Sequence, residues 1–175
     1  TYQIFTQQGT DVFTQNYPTE VAAMNQYTTT YQSNNGTIYA MWSSYFNALN
    51  NVNAAIDRSK SVILKTDDPD GIEPSALAQL VAEAKALRAW YLFEIVRNWG
   101  QGPLKINESK EPSYTVEYSN GAAFYQQIFT DLEEAIRVLP WRQTGPNYGR
   151  MSKAAAKHIR ALAYLTRGYE EDRKS

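Results

Sequence analysis

The chain of 175 residues contains no cysteine and a single histidine, His158. The absence of cysteine excludes disulfide bonds, thiolate metal sites and cysteine nucleophiles. A lone imidazole lacks a partner for binding a metal or for activating a nucleophile. We therefore interpret His158 as a structural residue at a surface or partly buried position of a helix.

Long apolar runs and an excess of one charge are also missing. No run approaches the roughly 20 apolar residues that a membrane-spanning helix needs, and no charged and then apolar leader opens the chain. Seventeen basic and eighteen acidic side chains leave a net charge of −1, which gives no general attraction to a phosphate backbone. The composition is that of a globular protein and argues against a nucleic-acid partner.

The acidic segment 65–74 contains Asp, Pro and Gly residues that suggest part of a calcium loop. If Thr66 takes the first position of such a loop, Leu77 stands where the bidentate glutamate is needed, and Pro69 interrupts the loop. We therefore predict a solvated turn, because these residue types are ordinary in turns.

Adjacent carboxylates provide no glycosidase site. Glu133 and Glu134, like the acidic residues 170–172, fall in predicted helices, where neighbouring side chains diverge by about 100°. A glycosidase needs two carboxylates facing each other across a cleft, so these residues are predicted to form charged helix faces. With no nucleophile, metal cluster or Gly-rich phosphate loop, the sequence predicts a protein that is not an enzyme and has no cofactor.

Apolar residues recur at the i, i+3, i+4 spacing of amphipathic helices in four stretches. The predicted helices cover residues 37–60, 75–99, 121–139 and 152–168. In the second helix, the apolar positions are Leu77, Leu80, Val81, Ala84, Leu87, Tyr91, Leu92, Ile95 and Val96.

Local signals set the ends of these helices. Thr37 and Ser152 are predicted N-caps, and Pro74 suits a first turn. Gly100 and Gly168 are predicted to stop the second and fourth helices.

The arrangement predicts an all-α fold of tetratricopeptide-like helix pairs, preceded by an irregular loop region over residues 1–36. We treat residues 1–175 as one helical repeat domain, with the helix pairs in residues 37–168. Such pairs normally need three or more repeats or a cap to bury their apolar faces. We therefore expect further sequence at both ends.

Two polar residues lie in or beside the predicted apolar stripes. Arg88 falls between Ala84 and Leu92, where its charge needs a partner, and Asp131 or Glu94 could supply it. Asn53 lies beside the stripe of the first helix, so its amide must find hydrogen bonds inside the protein. We assign Arg88, Asp131 and Asn53 to the scaffold.

Aromatic residues make up 13% of the chain, with 13 Tyr and 4 Trp. Trp42, Trp90 and Trp99 fall in or beside helical apolar stripes, which favours a role in the core. Trp141 follows the predicted end of the third helix, so its position favours a role in the core less strongly. The abundance of aromatic residues suggests that some face a ligand, because Tyr and Trp combine a flat apolar face with a polar edge.

Residues 82–100, AEAKALRAWYLFEIVRNWG, are followed after one residue by GPL. This resembles the signature of the SusD/RagB family, in which a long helix with Arg-Ala-aromatic residues ends in a Gly and a Pro-Leu exit. AAFYQQIFTDLEEAIRVLP at 122–140 and GRMSKAAAKHIRALAYLTRG at 149–168 look like the next family segments. The resemblance covers residues 9–168.

The resemblance implies a nutrient-binding lipoprotein at the surface of a bacterial outer membrane. Such a protein captures oligosaccharides or, in one branch, peptides, and delivers them to a SusC-like TonB-dependent transporter. It is held to the membrane by a lipid anchor, which would lie outside this chain. A tetratricopeptide-type scaffold that binds other proteins is the alternative, because helix pairs alone would support it equally well.

The segment 10–17 resembles the Thr-Asp-led loop in which starch-binding family members place sugar contacts. The resemblance makes Asp11, Gln15, Asn16 and Tyr17 candidate ligand-binding residues. An aromatic face stacks on the apolar C–H surface of a sugar, while amides and carboxylates bond its hydroxyls. A purely structural loop remains the competing interpretation of Tyr17, since most loop aromatics cover core. The segment lacks the tryptophans of starch binders, which argues against starch itself.

Overall fold

A computed structural model describes residues 35–111, 113 and 115–172, with side chains up to Glu170. Within these ranges the protein forms four α-helices: α1 (Gly36–Arg58), α2 (Pro74–Trp99), α3 (Gly121–Val138) and α4 (Lys153–Asp172). A short 3-10 turn follows α1 at Ser59–Ser61, and another follows α3 at Gly145–Asn147. The predicted all-α, tetratricopeptide-like fold is confirmed. None of these helices combines the length and the apolar character that crossing a membrane requires.

Side-chain caps fix where the helices begin. Asn35 Oδ1 accepts hydrogen bonds from the backbone N–H groups of Thr37 and Ile38, at 3.0 and 3.4 Å. The prediction of Thr37 as the N-cap is therefore wrong: α1 begins at Gly36, so Thr37 lies inside its first turn. The prediction for Ser152 is confirmed, because its Oγ accepts from the Ala155 N–H at 3.2 Å.

Glycine and proline define α2. Pro74 occupies the first turn, where its missing N–H costs no helical hydrogen bond. Gly100 ends the helix at a φ of 74° and donates its N–H to the Val96 carbonyl at 2.8 Å. A Cβ on Gly121 would lie 3.3 Å from the Gly100 carbonyl oxygen, so the end of α2 meets the start of α3 closely.

Gly168 does not end the fourth helix, contrary to the prediction. Helix α4 continues through it to Asp172. Gly168 is not among the described glycines with positive φ, and a positive φ is what lets a glycine terminate a helix.

The chain divides into two compact units, residues 1–47 and 48–175, with the division inside α1. In the described part of the first unit, the rings of Trp42 and Phe46 pack with their centroids 4.5 Å apart. In the second unit, α2 packs on α3 and α3 on α4. The C-terminal end of α2, at Gly100, lies beside the start of α3, at Gly121, and Arg88 farther back on α2 meets Asp131 farther along α3. These two helices are therefore antiparallel.

The face that α2 buries differs in part from the predicted stripe. Leu92, Ile95 and Val96 are buried as predicted, but Leu80 is 44% exposed. In the N-terminal half of α2, Ala82 and Ala86 are buried instead. Small side chains let a neighbouring helix approach closely, so the larger leucine is left at the margin of the contact.

Candidate functional site

A buried ion pair lies at the centre of the second unit. Arg88 on α2 donates from Nε and Nη2 to the two carboxylate oxygens of Asp131 on α3, at 2.7 and 2.6 Å. Both side chains are more than nine-tenths buried. Of the two carboxylates considered from the sequence, Asp131 is the partner, whereas Glu94 pairs with Arg97 one turn along α2. Bidentate geometry is the strong form of this interaction.

The remaining donors of the same guanidinium reach outside the helix pair. Arg88 Nη1 donates to the Ile106 carbonyl at 2.8 Å and to Asn53 Oδ1 at 3.3 Å. Asn53 Nδ2 in turn donates to the carbonyls of Lys105 and Asn107, at 3.1 and 3.2 Å. The fully buried amide of Asn53 is therefore satisfied at both its oxygen and its nitrogen.

Residues 105–109, which we call the strap, lie along α1 and are held by side chains. Asp57 accepts from the Glu108 backbone N–H at 2.8 Å. Asn50 accepts from the Ser109 N–H at 2.7 Å and donates to the Ser109 carbonyl at 3.3 Å. With the contacts of Asn53 and Arg88, every strap residue has a backbone group bonded by a helix side chain.

Electrostatic interactions reinforce one end of the strap. The hydrogen bond from the Glu108 N–H lowers the pKa of Asp57 below its ordinary value of 3.8. The Arg58 guanidinium binds the Glu108 carboxylate through two nitrogens and lowers its pKa below 4.5. Both carboxylates are therefore ionised where they support the strap.

The sequence contained a signal for the strap that the search for apolar stripes missed. Asn50, Asn53 and Asp57 follow i, i+3, i+7 spacing, so they share one face of α1. Such a polar face suggests solvent exposure when it is considered alone. This face binds the backbone of the strap, which lies far along the chain. Side-chain periodicity cannot indicate a contact with backbone groups, because every residue type has them.

A second polar cluster fixes the connection between α3 and α4. Glu83 on α2 accepts from Arg150 Nε at 2.8 Å and from the side-chain amides of Gln143 and Gln79, each at 3.1 Å. Gln143 also donates to the Met151 carbonyl at 2.7 Å. This cluster was not predicted from the sequence. Its hydrogen bonds engage both carboxylate oxygens of Glu83 in holding the structure together.

The described residues of the second unit form an apolar groove and a polar cleft. An apolar groove of about 360 Å³ lies between the start of α2 and the end of α3, with the ion pair of Lys85 and Glu134 beside it. Its apolar walls come from Leu64, Pro74, Leu77, Ala78, Val81 and Val138.

A polar cleft of about 270 Å³ lies on the connection between α2 and α3. One wall is formed by Leu104 and Lys105, and the other by Thr115, Glu117 and Ser119. Two backbone hydrogen bonds between Gly102 and Ser119, at 2.8 and 3.3 Å, join the two segments.

The predicted ligand-binding residues Asp11, Gln15, Asn16 and Tyr17 lie outside the described residues. Their role in binding stays a prediction.

The acidic segment 65–74 forms a turn. Asp68 Oδ1 accepts from the Asp70 N–H at 2.9 Å, and Leu64 pairs with Ile72 across the turn. A Cβ at Gly71 would lie 2.5 Å from the Leu64 carbonyl carbon, so only glycine fits there. No group of three potential metal ligands occurs among the described side chains.

Other residues considered from the sequence lie on surfaces. His158 is exposed on α4. Glu133 pairs with Arg137 on its own helix, and Glu134 pairs with Lys85. These carboxylates belong to charged helix faces, as predicted.

The tryptophans differ in exposure. Trp42, Trp90 and Trp99 are half-buried, whereas Trp141 is 56% exposed. The ammonium group of Lys157 lies 5.2 Å from the Trp141 ring centre.

Comparison with known proteins identifies relatives over nearly the whole chain. A SusD-like family model, described as starch-binding and associating with the outer membrane, matches residues 3–169. No curated protein sequence matches.

Solved structures share the fold. A SusD superfamily protein from Bacteroides vulgatus superposes with a TM-score of 0.73 at 22% identity, over 91% of this chain and 32% of that one. A laminarin-binding SusD-like protein gives 0.72 at 25% identity, over 87% and 31%. Surface glycan-binding protein A from Bacteroides fluxus gives 0.69 at 24%, over 89% and 30%. The chain thus spans about a third of the length of the solved structures it matches.

Proposed function

Because this chain belongs to the SusD-like family, we propose that it is part of a surface glycan-binding protein that captures oligosaccharides at a bacterial outer membrane. The observation that carries this proposal is the family match over residues 3–169. The structural likeness to a laminarin-binding protein and to a surface glycan-binding protein supports the same ligand class. Delivery to a SusC-like TonB-dependent transporter, surface exposure and a lipid anchor outside this chain complete the proposal.

Binding without catalysis is the proposed activity. Among the described carboxylates, Asp131, Glu83 and Glu134 are each held by a basic partner. Such pairing suits a scaffold, since a catalytic carboxylate must be free to exchange a proton or to attack a substrate. The buried network is proposed to stabilise the helices, with Arg88, Asp131 and Asn53 as structural residues.

The proposed sugar contacts are Asp11, Gln15, Asn16 and Tyr17. We expect the Tyr17 ring to stack on a sugar while the neighbouring amides and carboxylate bond its hydroxyls. Binding by one ring and a few hydroxyl contacts is expected to give a dissociation constant on the order of micromolar to millimolar, about 4 to 8 kcal/mol.

Calorimetric titration with a panel of plant and host glycans tests this site. Tyr17→Ala should weaken binding of any glycan that binds, whereas Tyr17→Phe should retain most of it because the ring remains. Tyr148→Ala is the matched control, since Tyr148 is 86% exposed and lies in a connection away from segment 10–17 in the sequence. Unchanged affinity of Tyr17→Ala would return Tyr17 to a structural role.

Transporter delivery needs a separate test. A gene for a TonB-dependent transporter beside the gene for this protein, and co-purification of the two products, would support the proposed partnership. Absence of both would contradict it and leave glycan binding to stand on the titration alone.

The apolar groove favours a second candidate function, the binding of peptides or protein segments. Its walls offer apolar side chains with one ion pair beside them, which suits an apolar segment better than a sugar. Titration with a peptide panel discriminates the two functions. Binding of peptides and of no glycan, lost in Leu77→Gln, would replace the glycan proposal.

A further inference from the structure

The polar cleft between residues 104–105 and 115–119 is lined by residues of two separate segments of this connection. Alternate residues of the second segment, Thr115, Glu117 and Ser119, line it. This alternation is that of an extended chain, in which every second side chain points to the same side. The cleft thus gathers two hydroxyls, a carboxylate and an ammonium group beside one apolar side chain, Leu104.

The two charged groups of the cleft are available for hydrogen bonding. In the part of the chain that the structure describes, neither Lys105 nor Glu117 forms an ion pair, with each other or with another residue. An ammonium group offers three donors, a carboxylate offers acceptors, and each hydroxyl offers both. The charges cancel, which disfavours a phosphate or another ionic ligand.

The buried network holds one wall of this cleft, and backbone hydrogen bonds hold one end of the other wall. The Lys105 carbonyl is fixed by Asn53, while the Lys105 side chain lines the cleft. On the other wall, Ser119 is tied to Gly102 through both of its backbone groups. Lining residues whose backbone is already fixed, as at Lys105 and Ser119, reduce the ordering cost of binding.

We propose that this cleft binds one sugar ring of an oligosaccharide, as a subsite separate from segment 10–17. The inference rests on the proposed function for the choice of a sugar over other polyhydroxyl ligands. Glu117 accepts and Lys105 donates hydrogen bonds to ring hydroxyls, with Thr115 and Ser119 adding further bonds. A volume of about 270 Å³ is just below the usual range for small-molecule sites, which fits a single ring better than a longer chain.

The test uses the 175-residue chain and NMR titration with methyl α-glucoside, methyl β-glucoside and maltotriose. We expect the added sugar to change the NMR chemical shifts of the Leu104 methyl groups and the Ser119 amide. Glu117→Gln and Lys105→Met should each weaken binding at these probes by about tenfold, the usual effect of losing a hydrogen bond to a charged group. Lys110→Met and Glu111→Gln are matched controls, since both residues are exposed on the same connection outside the cleft, and should change affinity by less than about twofold.

The outcomes separate the cleft from the proposed function. Glycan binding that is lost in Tyr17→Ala and unchanged in both cleft variants would overturn the subsite and leave the function standing. Sugar shifts at Leu104 and Ser119 that persist in Tyr17→Ala would support an independent subsite. No shift with any of the three sugars, or equal shifts with inorganic phosphate, would also overturn it.

Discussion

At the scale of single residues, the Arg88 and Asp131 pair is expected to dominate stability. Arg88→Ala would leave the Asp131 carboxylate buried without its cation, which typically costs about 3–5 kcal/mol of unfolding free energy. Urea denaturation measures the loss. We expect the glycan preference of the folded variant to be unchanged.

Arg137→Ala is the control for this comparison. Its partner Glu133 lies one turn away on α3, and both side chains are mostly exposed, so the loss should be at most about 0.5 kcal/mol. Near-native stability of Arg88→Ala with an altered glycan preference would move Arg88 from the scaffold to a binding site.

Asp57 gives the strap a dependence on pH. Its pKa is lowered in the folded protein, so its contribution is present above its unfolded pKa and is lost as the pH falls through the folded value, below 3.8. The Glu108 amide resonance should therefore titrate with a midpoint below 3.8, and Asp57→Asn should abolish that titration. A midpoint above 3.8 would contradict the assigned hydrogen bond.

Residue roles could be predicted in part from sequence. The place of Arg88 in an apolar stripe indicated a buried charge, and buried charges need partners. The sequence left the choice between Asp131 and Glu94 open, because helical periodicity does not show which helix faces pack against each other. Only the packing of α2 against α3 decides between them.

At the scale of elements, the strap is expected to behave as one cooperative unit. Asn53→Ala should speed hydrogen exchange at the Glu108 and Ser109 amides, although Asn53 bonds neither, because it removes the hold on Lys105 and Asn107. Asn98→Ala is the control, since Asn98 donates to its own helix at Glu94. Unchanged exchange at 108 and 109 would show that each strap contact acts alone.

Gly168 and Gly100 should respond in opposite directions to alanine. Gly168 lies inside α4, and an added Cβ would meet no atom within 4 Å, so Gly168→Ala should stabilise the protein by about 0.4–1 kcal/mol. Gly100 has a φ of 74°, and Gly100→Ala should destabilise it by about 1 kcal/mol or more. Thermal unfolding measures both, and a stabilising Gly100→Ala would contradict the helix stop.

The helix ends show why boundaries were harder to predict than the helices. Thr37 and Asn35 are both good caps by residue type, and only the observed start at Gly36 selects Asn35. Gly168 carries the residue type of a stop, but α4 continues through it to Asp172, and residue type alone did not indicate this.

At the scale of the whole molecule, the fold was predictable because the spacing of apolar side chains in the sequence directly indicates amphipathic helices. The strap and the polar cleft were not, since the strap depends on bonds between its backbone and distant side chains, and the two segments of the cleft are joined by backbone bonds between Gly102 and Ser119. The predicted ligand residues in segment 10–17 came from resemblance alone.

The apolar groove is expected to bind the dye ANS in the isolated chain, because its aliphatic walls are open to solvent. Leu77→Gln should reduce the fluorescence. Leu165→Gln is the matched control: Leu165 is 71% exposed and does not line the groove. Equal losses in both variants would indicate unspecific dye binding.

The strap offers a place where this scaffold can diversify. The helix side chains that hold Lys105, Ile106 and Asn107 bind only backbone carbonyls, and those groups are the same in every amino acid. These three positions can therefore accept new side chains without giving up the hydrogen bonds that anchor them. Lys105 also lines the polar cleft. Related proteins or engineered libraries could therefore change ligand preference at this position while the backbone hydrogen bonds of the strap stay the same.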